Sequence, residues 1–121
     1  MIEISLEKMT FYAHHGFFDD ERKVGGRYEV TLSYGLNADR AESDDDIEGT
    51  VNYQEIYDVV AEEMSKPSKL IENVARRIVD SVCSHFDKVE YAEIELSKIN
   101  PPITGQVERA TVKIKKFKRT K

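Results

Sequence analysis

Tyr28-Glu29-Val30-Thr31-Leu32-Ser33-Tyr34-Gly35-Leu36 is the cleanest alternating stretch of the chain. Tyr28, Val30, Leu32, Tyr34 and Leu36 fall on one side, and Glu29, Thr31 and Ser33 on the other. A period of two places successive side chains on opposite faces, so the stretch reads as a strand with one buried and one solvated face. The same period occurs upstream, where Ile2, Ile4 and Leu6 alternate with Glu3, Ser5 and Glu7; that strand is expected to run through Phe11 and Tyr12 to His15. Gly16, Asp19-Asp20-Glu21-Arg22 and Gly25-Gly26 read as a polar connection between the two, which predicts an antiparallel pair.

Downstream the period changes. The acidic stretch after Asn37 reads as a loop, and helical spacing begins near Asn52, with Glu55 placed to complete a capping-box-like start. Ile56, Val59, Val60 and Met64 share one helical face, and Pro67 ends or follows this helix because it lacks an amide hydrogen. A second helix is predicted from near Ser68, carrying Leu70, Ile71, Val74, Ala75, Ile78, Val82 and Phe86 at helical spacing. The short connector predicts antiparallel neighbours. Period two then returns at Ala92, Ile94 and Leu96, and again at Ala110, Val112 and Ile114, with Asn100-Pro101-Pro102 between them.

The expected architecture is therefore α+β, in the order ββααββ: a four-stranded antiparallel sheet with two antiparallel helices on one face, one domain spanning residues 1–121. Such a sheet has free edges, which either pair with other copies of the chain or are protected by charge.

Composition narrows the function. A chain of 121 residues, 40% hydrophobic and 34% charged, is long enough for one layered core. A net charge of −5 argues against a nucleic-acid partner, since Lys and Arg concentrate only in Lys113 to Lys121, while acidic residues gather in Asp39 to Glu48. The lone Cys83 cannot form an intramolecular disulfide, no run approaches the roughly 20 apolar residues of a membrane span, and no leader-like segment opens the chain. A cytoplasmic location with no membrane partner is the expectation.

Lys98 is the most informative single residue, because its parity matches Ala92, Ile94 and Leu96, the apolar face of its strand. Desolvation there would disfavour the ammonium and make the side chain a usable base; alternatively, Lys98 snorkels outward at the strand end. Glu72 stands near a helix start, where the dipole favours an anion and a carboxylate could receive paired N–H donors of a guanidine-like heterocycle. Tyr53 offers either a ring and phenol to a ligand or a core aromatic. Nothing local distinguishes Glu21 from Asp19 and Asp20. His14, His15 and His85 have no zinc-ligand spacing, and neither a glycine-rich phosphate loop nor a nucleophile elbow occurs, so no metal and no covalent nucleophile is expected.

Four segments, taken in order, resemble the dihydroneopterin aldolases along nearly the whole chain. They are Phe11-Tyr12-Ala13-His14-His15-Gly16 followed by Glu21; Thr50-Val51-Asn52-Tyr53; Leu70-Ile71-Glu72; and Lys98-Ile99-Asn100-Pro101-Pro102-Ile103. The resemblance implies the tunnelling fold, with sheets joined edge to edge into a multi-subunit barrel and an octamer of two tetrameric rings. It implies retro-aldol cleavage of a pterin side chain without metal or cofactor. Glu72 would anchor the pterin, helped by backbone groups near Val51 and Ile71. Tyr53 would come from a neighbouring subunit to stack and protonate, and Lys98 and Glu21 would handle the hydroxyl proton. His14 and Thr104 depart from the family pattern. Three other readings stand beside this one: an epimerase of dihydroneopterin triphosphate, a zinc-dependent pyruvoyl-tetrahydropterin synthase type lacking here its histidine triad, and a non-catalytic pterin-binding module.

Overall fold

A computed structural model describes residues 1–37 and 39–118, apart from the side chain of Arg40; residues 119–121 of the basic end lie outside the described residues. The elements are β1 (Ile2–Ala13), α1 (Asp19–Val24), β2 (Gly26–Leu36), α2 (Asp39–Asp44), a single 3-10 turn (Ile47–Gly49), α3 (Tyr53–Met64), α4 (Ile71–His85), β3 (Val89–Ile99) and β4 (Arg109–Phe117). The four strands form one antiparallel sheet in the order β1-β2-β3-β4.

The alternation in β2 does what its sequence demands. Tyr28, Val30, Leu32, Tyr34 and Leu36 are buried, together with Ala92, Ile94 and Leu96 of β3. The long helices supply the facing layer: α3 buries Ile56, Val60 and Met64, and α4 buries Val74, Ala75, Ile78, Val79, Val82 and Cys83. The α4 helix lies against β3 and β4, and α3 lies against β1 and α4. Each fully buried Val, Leu or Ile contributes roughly 1.5–3 kcal/mol of transfer free energy, so this single contiguous layer holds the sheet against the helices.

Sequence expectation and structure part company at four places. The strand predicted to run to His15 ends at Ala13. Within it the register with β2 slips between Leu6 and Met9 at a bulge, where Lys8 takes φ 57° and donates its N–H to Thr31 Oγ1 at 3.0 Å. The extra residue reverses the parity, so Ile2, Ile4 and Leu6 face the core before the bulge and Met9, Phe11 and Ala13 after it. Asp19–Val24 and Asp39–Asp44, read as loops, are short helices, and Ile47–Gly49 is a 3-10 turn. The bare order ββααββ thus becomes β-α-β-α-α-α-β-β. None of the α1 residues is buried, so no apolar period announces that helix. Finally, α4 starts at Ile71 and not near Ser68, and Phe86 is its C-cap. The start of α3 agrees better: Asn52 is the N-cap, its Oδ1 accepting the Gln54 N–H at 2.8 Å.

Candidate active site

Where β2 and β3 run side by side, Tyr28 lies directly opposite Lys98. A cavity of about 160 Å³ opens there, lined by His15, Glu21, Gly25, Gly26, Tyr28, Lys98, Ile99, Asn100 and Pro102. Its polar centre is an ion pair, Lys98 Nζ to Glu21 Oε2 at 2.5 Å, between side chains only 15% and 18% exposed. A charge-assisted bond of this length between half-buried groups holds both ends in fixed geometry.

Glu21 reaches Lys98 because of how the chain turns into α1. Its other oxygen, Oε1, accepts the Phe18 N–H at 3.2 Å. A Cβ on Gly16 would lie 2.4 Å from Glu21 Cβ, so only a residue without a side chain lets the carboxylate swing over that loop. At the far end of α1, Gly25 takes φ 86° and caps it with an N–H donated to the Glu21 carbonyl at 2.9 Å. Burial pushes the Glu21 carboxyl up, but the hydrogen bonds from Lys98 and the Phe18 amide outweigh it, leaving the group below the usual carboxylate range. It is an anion at neutral pH.

Tyr28 and His15 complete the wall. The Tyr28 hydroxyl donates to the His15 carbonyl at 2.5 Å; burial, and then the Glu21 charge, push the phenol up to about 12. The His15 ring packs edge-on against Tyr28, with centroids 5.3 Å apart. Burial, then the Arg77 charge, lower His15 to about 4 against the opposing pull of the Met64 carbonyl. The ring is therefore neutral near pH 7.

Of the residues singled out in the sequence, the fold brings Lys98 and Glu21 together, and of the two readings left open for Lys98 it takes the inward one. The others line no part of this cavity. Val51 is buried just before α3, and Tyr53, the first residue of α3, is 62% exposed. Ile71, half-buried, and Glu72, exposed, form the first turn of α4. Sequence reasoning missed Tyr28 and His15 as site residues. Alternation marks Tyr28 only as a core position, while His15 stands out only as a histidine without zinc-ligand spacing and as part of the Phe11–Gly16 segment. Among the described residues, no group of three or more His, Cys, Asp or Glu is disposed to hold a metal ion.

A four-stranded α+β sheet with a desolvated lysine–carboxylate pair at a strand end has the equipment of an enzyme that moves protons on a small bound ligand. Residues 4–115 match the family model described as FolB, dihydroneopterin aldolase, and the chain belongs to that family. It is 35% identical to a dihydroneopterin aldolase of Bacillus subtilis, covering 98% of this chain and 99% of that one. In fold it resembles the crystal structure of E. coli dihydroneopterin aldolase in complex with neopterin, at a TM-score of 0.86 and 20% identity, covering 96% and 99% of the two chains. A Burkholderia dihydroneopterin aldolase bound to guanine aligns with a TM-score of 0.78 and 16% identity over 98% and 92%.

Proposed function

We infer that the chain is a dihydroneopterin aldolase, a lyase of folate biosynthesis that cleaves 7,8-dihydroneopterin into 6-hydroxymethyl-7,8-dihydropterin and glycolaldehyde. Family membership gives the reaction, and the 2.5 Å Lys98–Glu21 pair in its cavity is the observation that carries the mechanism. Neopterin and guanine in the two related crystal structures support a planar, guanidine-bearing ligand for this chain as well.

Retro-aldol cleavage removes a proton from the side-chain hydroxyl next to the breaking carbon–carbon bond. That hydroxyl becomes the aldehyde of glycolaldehyde, and the bond's electron pair moves into the pterin. The ring C=N of a reduced pterin accepts the pair, giving an enol-like intermediate that is then protonated on carbon. Because the substrate supplies its own electron sink, the reaction needs no cofactor and no lysine Schiff base. Lys98 and Glu21, with water, take up and relay the hydroxyl proton. Glu72 receives the amino group and ring N–H of the pterin, with backbone groups near Val51 and Ile71 completing the cradle. Tyr53 stacks on the ring and returns the proton. Reversal of the aldol step on a rotated aldehyde gives side-chain epimerisation as a secondary activity.

Tyr53 is exposed and stands outside the cavity of its own chain, which fits its entry into a neighbouring copy. The unit is a single aldolase domain of residues 1–121 in the tunnelling fold. Copies pair through the free edges of β1 and β4 into a barrel, and two tetrameric rings stack as a homo-octamer with sites between subunits. The work is placed in the cytoplasm, in keeping with the lone Cys83 and with the absence, among the described residues, of a helix long and apolar enough to cross a membrane.

Purified protein incubated with 7,8-dihydroneopterin in excess EDTA, with products separated by chromatography, tests this reading. Hydroxymethyl-dihydropterin and glycolaldehyde in equal amounts support it. Formation of the epimer alone points to an epimerase, and binding without turnover to a pterin-binding module.

A further inference from the structure

Two groups of proposed site residues sit far apart in the chain: Glu21 and Lys98 at the cavity, and Glu72 in the first turn of α4. A ligand held by one group reacts only if its side chain meets the other at near contact, so the spacing between them has to be fixed. His15 touches both sides. Its carbonyl accepts the hydroxyl of Tyr28, which lies opposite Lys98. Its ring Nδ1 accepts the Ser68 N–H at 3.2 Å, and the following amide, Gly16 N–H, donates to the Ser68 carbonyl at 2.9 Å. Both backbone groups of Ser68 are thus held by consecutive residues of the loop that leads to Glu21.

Ser68 is in turn tied to α4. Arg77 Nη2 donates to its Oγ at 3.0 Å, and Arg77 Nη1 is anchored on Glu63 Oε1 at 3.2 Å. The Ser68 Oγ also lies 3.0 Å from Asn73 Oδ1, within the first turns of the helix. An unbroken run of hydrogen bonds therefore joins the cavity wall to the start of α4, and the His15 ring is its central link.

We propose that His15 is a positioning residue for the aldol cleavage: by clamping Ser68 it sets the distance between the Lys98–Glu21 pair and the pterin-holding start of α4. The proposal rests on the aldolase reading above. The clamp requires Nδ1 to be a bare acceptor, which places the ring proton on Nε2, a buried atom. An asparagine puts its amide oxygen where Nδ1 stands, and a leucine of similar bulk puts no acceptor there. The two substitutions separate the hydrogen bond from the packing.

The experiment measures kcat for 7,8-dihydroneopterin cleavage and Kd for neopterin on wild type, His15→Asn, His15→Leu and Ser68→Ala. Misplacement by about an ångström lowers rates on the order of 10²-fold, so His15→Leu is expected to lose that much kcat while binding neopterin within about threefold of wild type. His15→Asn is expected to recover kcat to within about fivefold of wild type, since it restores the acceptor. Wild-type kcat in His15→Leu overturns the proposal, as does a parallel loss of kcat and binding in both His15 variants. If His15→Leu does not fold, Ser68→Ala decides, because it keeps the N–H that His15 holds and cuts the Oγ ties to Arg77 and Asn73 that carry the clamp to α4: reduced kcat with unchanged neopterin Kd supports the clamp, and wild-type kcat overturns it. A wild-type protein that binds neopterin without turnover overturns the aldolase reading, and the clamp falls with it; failure of the clamp alone is seen with wild type active.

Discussion

The cavity between β2 and β3 and the two helix starts carrying Tyr53 and Glu72 are built on opposite terms. In the cavity the reactive side chains have their partners inside the chain: Lys98 with Glu21, Glu21 with the Phe18 amide, and Tyr28 with the His15 carbonyl. At the helix starts, Tyr53 and Glu72 face outward and take no hydrogen bond from the cavity. Groups that transfer protons need fixed geometry and exclusion of water, which strands and a tied loop supply. Groups that recognise a ligand need unfilled donors and acceptors, which the first turn of a helix offers. Under the proposed function this difference is a division of labour, with chemistry prearranged in one chain and recognition left open for a pterin and a second copy.

The largest expected effect falls on the chemical half. Lys98→Ala is expected to lower kcat by about 10³-fold, within the range for a lost acid–base group. Lys98→Gln, which keeps a hydrogen-bond donor for Glu21, should lose a comparable amount of rate with less stability, as thermal unfolding of the two variants will show. A variant that retains more than a tenth of wild-type kcat would break the assignment.

A pH titration of stability examines the same region. His15, held at about 4 by burial and by the charges of Arg77, Lys98 and His14, binds a proton in the unfolded chain near the ordinary histidine value of 6.5. Between those values the unfolded chain takes up the proton and the folded chain does not, so stability falls as pH drops from 6.5 to 4 and levels off below. The window corresponds to about 3 kcal/mol. Urea unfolding at pH 7 and pH 4 should show this loss in wild type and a smaller one in His15→Asn. Glu21, whose folded value is depressed, adds stability that is lost in the same direction as pH falls through that value.

On the recognition half, Glu72→Gln is expected to raise KM by roughly 30-fold through loss of charge-assisted bonds, with kcat changed far less. Steady-state kinetics that show the reverse split would erase the distinction between the two regions. At the bottom of the scale, Lys113 and Glu95 pair at 3.7 Å on the open face of the sheet, with both side chains more than half exposed. Lys113→Ala should change stability by no more than about 0.5 kcal/mol by chemical denaturation, which sets the contrast with the enclosed Lys98–Glu21 pair.

The fold was readable wherever burial imposes a period. The strand parity matches Lys98 to the inner face while leaving its outward reading open, and Asn52 marks the start of α3 by its side-chain chemistry. Elements that bury little left no such trace: α1 and α2 carry charges throughout their short lengths. Ser68 looked like a helix start, but its hydroxyl serves Arg77 and Asn73, and the helix begins later. Glu21 could not be told from Asp19 or Asp20, because its partner is 77 residues away and only the folded loop over Gly16 brings them together. His15 was hidden by the Lys8 bulge, whose inserted residue reverses the parity from which its burial would have been read.

The division between chemistry and recognition is tested most directly by titrating neopterin into wild type, Lys98→Ala and Glu72→Gln and measuring dihydroneopterin turnover on the same samples. The account predicts that Lys98→Ala binds neopterin nearly as wild type does and turns over almost nothing, while Glu72→Gln loses binding first. Loss of neopterin binding in Lys98→Ala, or wild-type affinity in Glu72→Gln, would contradict it.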